Sequence, residues 1–319
     1  ISGNAVREIV RDPDGNLWIG TEDAGLNKMN PGTGEFTHID HQHVSSSNIH
    51  GLLIDGHKLW VGTFHRGLDV LDTRTGRLIK HYSIGTHSLQ SDFVYCFLKT
   101  KAGRIIVGTD RGLSYYDGET DTFDPVTEMP GNFYTILYED KTGTIWGRTY
   151  SDGLYYYNPN TGKGGSYRYE PGNAHSISGN RVNWIFEDSR GQLWIATEGG
   201  LCQLNTSTQQ CHRYTTKDGF PGNIMYAVLE DARKNFWVST SKGLACFSPL
   251  TGKVTVYSRA NGLLNDQFNY NPAYRDADGR LYFGSVKGMI SFHPQEFLPN
   301  HYQSPVYITG FQVYDKELA

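Results

Sequence analysis

Several things are missing from this chain, and each absence excludes something. No Lys/Arg-rich block occurs, and 29 basic residues stand against 33 acidic ones for a net charge of −4. Binding to a nucleic-acid backbone needs a basic surface, so that class of partner is set aside, as is a polybasic membrane patch. No apolar stretch approaches the ~20 residues of a membrane-spanning helix. No secretory leader is present; the sequence starts abruptly at Ile1, which reads as a processed or excised piece of a longer protein. There are four cysteines, Cys96, Cys202, Cys211 and Cys246, and no close CxxC pair, which speaks against structural zinc. Cys202 and Cys211 are spaced to face each other across one hairpin; buried free thiols are the alternative. The 12 histidines form no HxxxH with a paired carboxylate, and there is no GxSxG elbow, so the chain lacks the usual signs of a hydrolase.

What is abundant is glycine, with 37 residues, and tyrosine, with 21, against only 19% charged residues. That balance suits many short strands joined by tight turns. A repeat organises them. Its first copy runs from Asp12 and Gly15 through Leu17-Trp18-Ile-Gly20-Thr21 to Gly25-Leu26. Trp18 has equivalents at Trp60, Ile106, Trp146, Trp194, Trp237 and Tyr282, at intervals of 42, 46, 40, 48, 43 and 45 residues. The Gly25-Leu26 pair recurs at Gly67, Gly112, Gly153, Gly200, Gly243 and Gly288, so seven copies fill the chain.

Each copy reads as four strands, A to D. In the first copy they are expected at about residues 5–11, 17–21, 26–29 and 36–39. Asp12 and Gly15 mark the A–B turn, and Pro31 to Gly34 the C–D turn. A sheet of four short strands cannot bury both faces alone. Packing sheets into a ring solves this and leaves only short edges exposed. The fold expected is therefore all-β, a seven-bladed β-propeller of four-stranded antiparallel blades over residues 1–304. The period-two apolar pattern excludes helical solenoids, and the repeat is long for an open β-solenoid. Residues 305–319, with Val306 to Tyr314, read either as the outer strand of the last blade or as the start of a truncated β-sandwich domain.

The LWIGT–GL repeat resembles the regulator-propeller repeat of hybrid two-component sensors of Bacteroides type. Leu17 to Thr21 with Gly25-Leu26, and Leu193 to Thr197 with Gly200-Leu201, carry the resemblance. The turn Asp188-Ser-Arg-Gly191 and the segment Pro305 to Phe311 add to it. Arg148, Ala196 and Ser239 depart from the pattern, each standing where the first copy has Gly20. The resemblance implies a periplasmic sensory propeller, the second and membrane-proximal one, of a membrane-anchored histidine kinase that controls genes for polysaccharide use. It implies no cofactor. Its implied partners are an oligosaccharide ligand, a neighbouring propeller and β-sandwich of the parent chain, and a second copy in a homodimer.

In a propeller the D–A connections and B–C loops share one face with the channel mouth, while A–B and C–D turns occupy the other. The longer loops here, such as 84–93 and 170–183, fall on the mouth face, where variable loops on a rigid scaffold suit binding. The ligand residues expected there are Tyr95, Tyr134, Asn183, Trp184, Tyr226 and Tyr270 near the A strands, and Arg66, Arg111, Glu198 and Lys242 in the B–C loops. Aromatic faces with a few polar groups suit a sugar ring. The plainer alternative makes the aromatics filler between blades and the charged side chains solvated surface. Asp12-Pro-Asp14 and Asp276-Ala-Asp278 faintly resemble calcium loops, but lack full ligand spacing and read as turns. Three functions remain open: a sensory binding module, a spacer or dimerisation propeller with its ligand held elsewhere, and a propeller lyase or hydrolase.

Overall fold

The repeat's conserved-looking letters each close a specific contact. The computed structural model describes residues 1–40 and 42–297, with two short strands, Gln312–Val313 and Lys316–Glu317, beyond them. In the A–B turn the Asp does two jobs. Asp12 accepts from the Asn16 amide at 2.8 Å, fixing the turn, and from the Trp18 indole N–H at 2.9 Å. Asp140 serves Trp146 at 2.8 Å, Asp188 serves Trp194 at 3.1 Å and Asp231 serves Trp237 at 3.0 Å in the same way. Such a partner offsets the cost of burying an indole N–H; Trp60 Nε1 is the exception, buried without one among the described residues. The Thr ending strand B closes the B–C loop: Thr21 donates its hydroxyl to the Gly25 carbonyl at 2.8 Å, and Thr63, Thr109, Thr149, Thr197 and Thr240 repeat the bond. The Gly of the Gly-Leu pair has positive φ in all seven copies, from 71° at Gly67 to 144° at Gly112, a region costly for any side chain.

These turns connect six four-stranded antiparallel meanders and a seventh sheet with three described strands. Blade one is Val6–Arg11, Leu17–Thr21, Leu26–Met29 and Phe36–Ile39, close to the spans expected from sequence. Blade seven is Phe268–Arg275, Leu281–Ser285 and Gly288–Phe292. The expectation for 305–319 lies outside the described residues, apart from Gln312–Val313 and Lys316–Glu317, which pair with each other.

The core lies in the wedges between blades. Each B-strand anchor packs into the next blade: Trp18 against Ile49 and Val61 of blade two, Trp60 against Val107 and Phe123 of blade three, Ile106 against Tyr134 and Leu137 of blade four. Trp146, Trp194 and Trp237 continue the series into blades five, six and seven. Tyr282 closes the ring, packing with Val6, Ile9 and Ile19 of blade one. Polar contacts also span this seam. The Asn269 amide group donates to the Val6 carbonyl at 2.9 Å, the Gly288 N–H to the Asn4 carbonyl at 2.8 Å, and Arg11 pairs with Asp276. Strand D supplies a cover that the sequence pattern did not reveal. Tyr82, Tyr167, Tyr214 and Tyr257 lie beside Trp60, Trp146, Trp194 and Trp237, with ring centroids 5.5–6.2 Å apart.

Cys202 and Cys211, on strands C and D of blade five, are joined by a disulfide with Cα atoms 5.7 Å apart. Cys96 and Cys246 are free thiols.

Candidate functional site

Strand A carries the irregularity that builds the site. Its first residue pairs with the last of strand B, its third with the last but one, and the second is left over as a bulge. The bulged residues are Arg7, His50, Tyr95, Thr135, Asn183 and Tyr226; in blade seven the register breaks more widely, between Phe268 and Ala273. A bulge re-aims the extra side chain out of the sheet's alternation. Here five of those six, joined by Tyr270, converge on one cavity of ≈ 230 Å³. Six of the seven blades contribute to its lining, which places it on the ring axis at the channel mouth.

The rest of the lining comes from the mouth-face loops and one B strand: Phe133, Arg148, Tyr150, Arg181 and Glu198. Aromatic rings continue outward from it. Tyr95 lies 4.4 Å from Phe133, Phe133 stacks on Tyr150 at 5.1 Å with a 5° interplanar angle, and the Arg181 guanidinium lies 5.4 Å from the Tyr150 ring centre. Phe64 and Phe93 extend the arc on the blade-two side. Tyr150 is 51% exposed and Phe64 37%, so the arc offers ring surface to solvent.

Three buried polar atoms on the cavity wall have no hydrogen-bond partner among the described residues: Arg7 Nε, Thr135 Oγ1 and Asn183 Oδ1. Asn183 is anchored by its other atom, since its amide nitrogen donates to the Met225 carbonyl at 2.8 Å and points the oxygen's lone pairs elsewhere. An unmet buried polar group costs about 1–3 kcal/mol, so three around one cavity mark a place where a polar guest or water completes them. The charged groups are partly paired: Arg7 with Glu22 at 2.9 Å, Arg181 with Glu198 at 3.3 Å, and the Tyr270 hydroxyl on Glu198 at 3.3 Å. Burial, then the Arg7 charge, lowers His50 to about 4, so its imidazole is neutral at physiological pH. Burial lowers Arg148 to about 10 and raises Tyr95 to about 12. Farther along strand A of blade one, burial pushes the Glu8 carboxyl up to about 8.

Of the residues expected from sequence, Tyr95, Asn183, Glu198 and Tyr270 meet in this cavity. Tyr226 is buried behind it, edge-on to Tyr270 at 4.9 Å. Tyr134 is buried between blades three and four and donates to the Pro130 carbonyl at 2.9 Å. Trp184 packs into the wedges flanking blade six. Arg66, Arg111 and Lys242 are exposed on mouth-face loops outside the cavity. Sequence reasoning missed Phe133, Arg148, Tyr150 and Arg181 in the lining, and on strand A it missed Arg7, His50 and Thr135. The signal that finds them is position: Arg7, Tyr95, Thr135, Asn183 and Tyr226 each stand 11 residues before their blade's B-strand anchor, and His50 stands 10 before Trp60.

A larger groove of ≈ 540 Å³ runs between blades four and five on the opposite face, past Asp140, Asn158, Gln192 and Asn205. Similar gaps of ≈ 520 Å³ and ≈ 480 Å³ separate blades three and four and blades two and three. It is therefore one of a series of spaces between blade edges, whereas the axial cavity draws its lining from six blades.

Comparison with known proteins agrees with the propeller fold. Residues 1–23 and 176–199 match the two component regulator propeller family. A histidine kinase of Formosa agariphila is 26% identical over 98% of this chain, which spans 24% of that protein's length. The extracellular domain of a hybrid two component system of B. thetaiotaomicron superposes over 98% of this chain and 56% of its own, with a TM-score of 0.60 and 20% identity. A virginiamycin B lyase from Staphylococcus aureus shares the architecture alone, with a TM-score of 0.70 at 12% identity.

Proposed function

We propose that this propeller of two-component regulator repeats is a non-catalytic sensory module, receiving a glycan fragment at its channel mouth. In this reading it belongs to the periplasmic part of a membrane-anchored histidine kinase. Binding is passed through a neighbouring propeller and β-sandwich to control genes for polysaccharide use. One observation carries the proposal: Arg7 Nε, Thr135 Oγ1 and Asn183 Oδ1 are buried, without a partner among the described residues, and gathered on one small cavity. At ≈ 230 Å³ the cavity is smaller than the ~300–1,000 Å³ of drug-sized sites, so it suits one terminal sugar ring. The Tyr95–Phe133–Tyr150 arc then supports the rings that follow, stacking on their CH faces. The Cys202–Cys211 disulfide agrees with an oxidising compartment.

The test is a calorimetric screen of oligosaccharide fragments against the 319-residue chain and its Thr135→Val variant. Val keeps the shape of Thr and removes only an unpartnered hydroxyl. Its expected effect is unchanged melting and affinity weakened about five- to tenfold, the worth of one hydrogen bond. An unchanged affinity for every bound fragment would place the ligand elsewhere.

A further inference from the structure

The spaces between blade edges are alike in size but not in what lines them. Between blades three and four the ring beside the B-strand anchor is Tyr115, and the Arg104 guanidinium lies over it at 3.6 Å. Lys101, Glu139 and Lys141 add charge to that lining. Between blades four and five the equivalent ring is Tyr156, paired across strands with Trp146 as Tyr115 is with Ile106. Tyr156 and Tyr167 are half-buried, their ring centroids 5.6 Å apart and their planes at 36°, and both line the ≈ 540 Å³ groove. No Lys or Arg lies over either ring among the described residues. Strand D keeps them open. Two residues before its Tyr, blades two, five and six carry Lys80, His212 and Thr255, whereas blade four carries Gly165. A Cβ on Gly165 would meet the Tyr156 hydroxyl at 2.8 Å.

The rim is built mostly of uncharged hydrogen-bonding groups. Two carboxylates in the lining are used inside the protein: Asp140 accepts from the Trp146 indole at 2.8 Å, and Glu187 from the Lys141 backbone N–H at 2.7 Å. Lys163 is the remaining charged side chain and is exposed. Gln192 donates its amide group to the Leu204 carbonyl at 2.6 Å, which leaves its oxygen to accept. Asn205 accepts the Ser207 backbone N–H through its oxygen at 3.0 Å, which leaves its amide group to donate. Gln209 stands on the same rim with φ of 58°, where the C–D turns of four other blades place Gly34, Gly76, Gly162 and Gly252. A left-handed Gln is strained. Asp121, at the same turn position in blade three, offsets its strain by accepting the Tyr82 and Tyr116 hydroxyls. Gln209 makes no such bond among the described residues and is exposed to the groove. A second space of ≈ 410 Å³ shares Gln192 and Asn205 with the groove and adds Gln203, Gln210 and His212, so the polar surface continues past one sugar ring. Open ring faces beside amides suit a neutral saccharide, which offers CH patches to stack and hydroxyls that both donate and accept. We infer that the groove between blades four and five is a second saccharide site, taking an uncharged run of an oligosaccharide independently of the channel mouth.

The experiment titrates cellohexaose, xylohexaose, mannohexaose and maltohexaose by calorimetry into the full chain, Gln209→Gly, Gly165→Lys and Thr135→Val. Gln209→Gly gives the turn the residue that four other blades use, so it should melt no lower than the parent. Gly165→Lys copies Lys80, whose ammonium lies 5.0 Å from the Tyr82 ring in blade two, and should cover Tyr156. At least one hexasaccharide should bind, about fivefold more weakly in Gln209→Gly and not measurably in Gly165→Lys, with Thr135→Val leaving that binding in place. If Gly165→Lys melts lower than the parent, Gln209→Gly alone decides. Binding by none of the four, or binding that neither groove variant weakens, overturns the inference. Binding weakened only by Thr135→Val puts the sugar at the channel mouth, so the two sites stand or fall separately.

Discussion

At the scale of residues, the Asp of the A–B turn shows how a small motif acquires a second duty. The sequence marks Asp188 as a turn former, because a carboxylate can gather nearby amides. The structure adds the Trp194 indole to its partners. Burial works to raise the Asp188 carboxyl, but the Gln192 amide, the indole and Arg190 together hold it below the usual carboxylate range. Asp188→Ala would strand a buried indole and open the turn. We expect a loss of about 1–3 kcal/mol in urea unfolding; a loss below about 0.5 kcal/mol would mean that the bond is incidental. Glu8 works in the opposite sense. Its folded-state carboxyl sits near 8, above its ordinary value of 4.5, so the folded chain keeps a proton that the unfolded chain releases. Its contribution is most favourable below the ordinary value and fades as pH rises towards 8. Unfolding midpoints measured from about pH 5 to about pH 8 should therefore fall less in Glu8→Gln than in the parent chain. Parallel curves would show that Glu8 is ionised in the fold.

At the scale of elements, the strands were legible and the site was half legible, for one physical reason. Period-two apolar runs and turn residues mark strands B, C and D directly. Leu17–Thr21, Leu26–Met29 and Phe36–Ile39 fall where expected. A bulge leaves no mark of its own, because it is a change of register and not of composition. Tyr95 and Asn183 stood out by residue type, whereas Arg7 and Thr135 look ordinary until the strands are paired. Trp184, expected among the ligand residues, packs between blades instead. The anchors themselves carry the wedges. Trp237→Ala, removing a ring that is 2% exposed between blades six and seven, should cost roughly 3–5 kcal/mol in chemical denaturation. A cost under about 1 kcal/mol would mean that the wedge is held by other contacts.

At the scale of the whole molecule, the ring brings five unexceptional strand bulges and Tyr270 of the seventh blade to one cavity. Six blades contribute one to four side chains at the axis, and none could hold a ligand alone. Equal blades give a rigid frame, and unequal bulge residues give the frame a chemical identity. The variety of Arg, His, Tyr, Thr and Asn at one repeat position is what a binding site needs and what packing alone does not explain. The most direct check is a crystal structure of the chain grown with the tightest-binding oligosaccharide from the fragment screen. The account predicts the terminal ring on the axis, within hydrogen-bond reach of Thr135 Oγ1 and Asn183 Oδ1, and the next ring over Phe133 and Tyr150. Sugar bound at the blade edges or on the turn face, with the axial cavity holding only water, would contradict it.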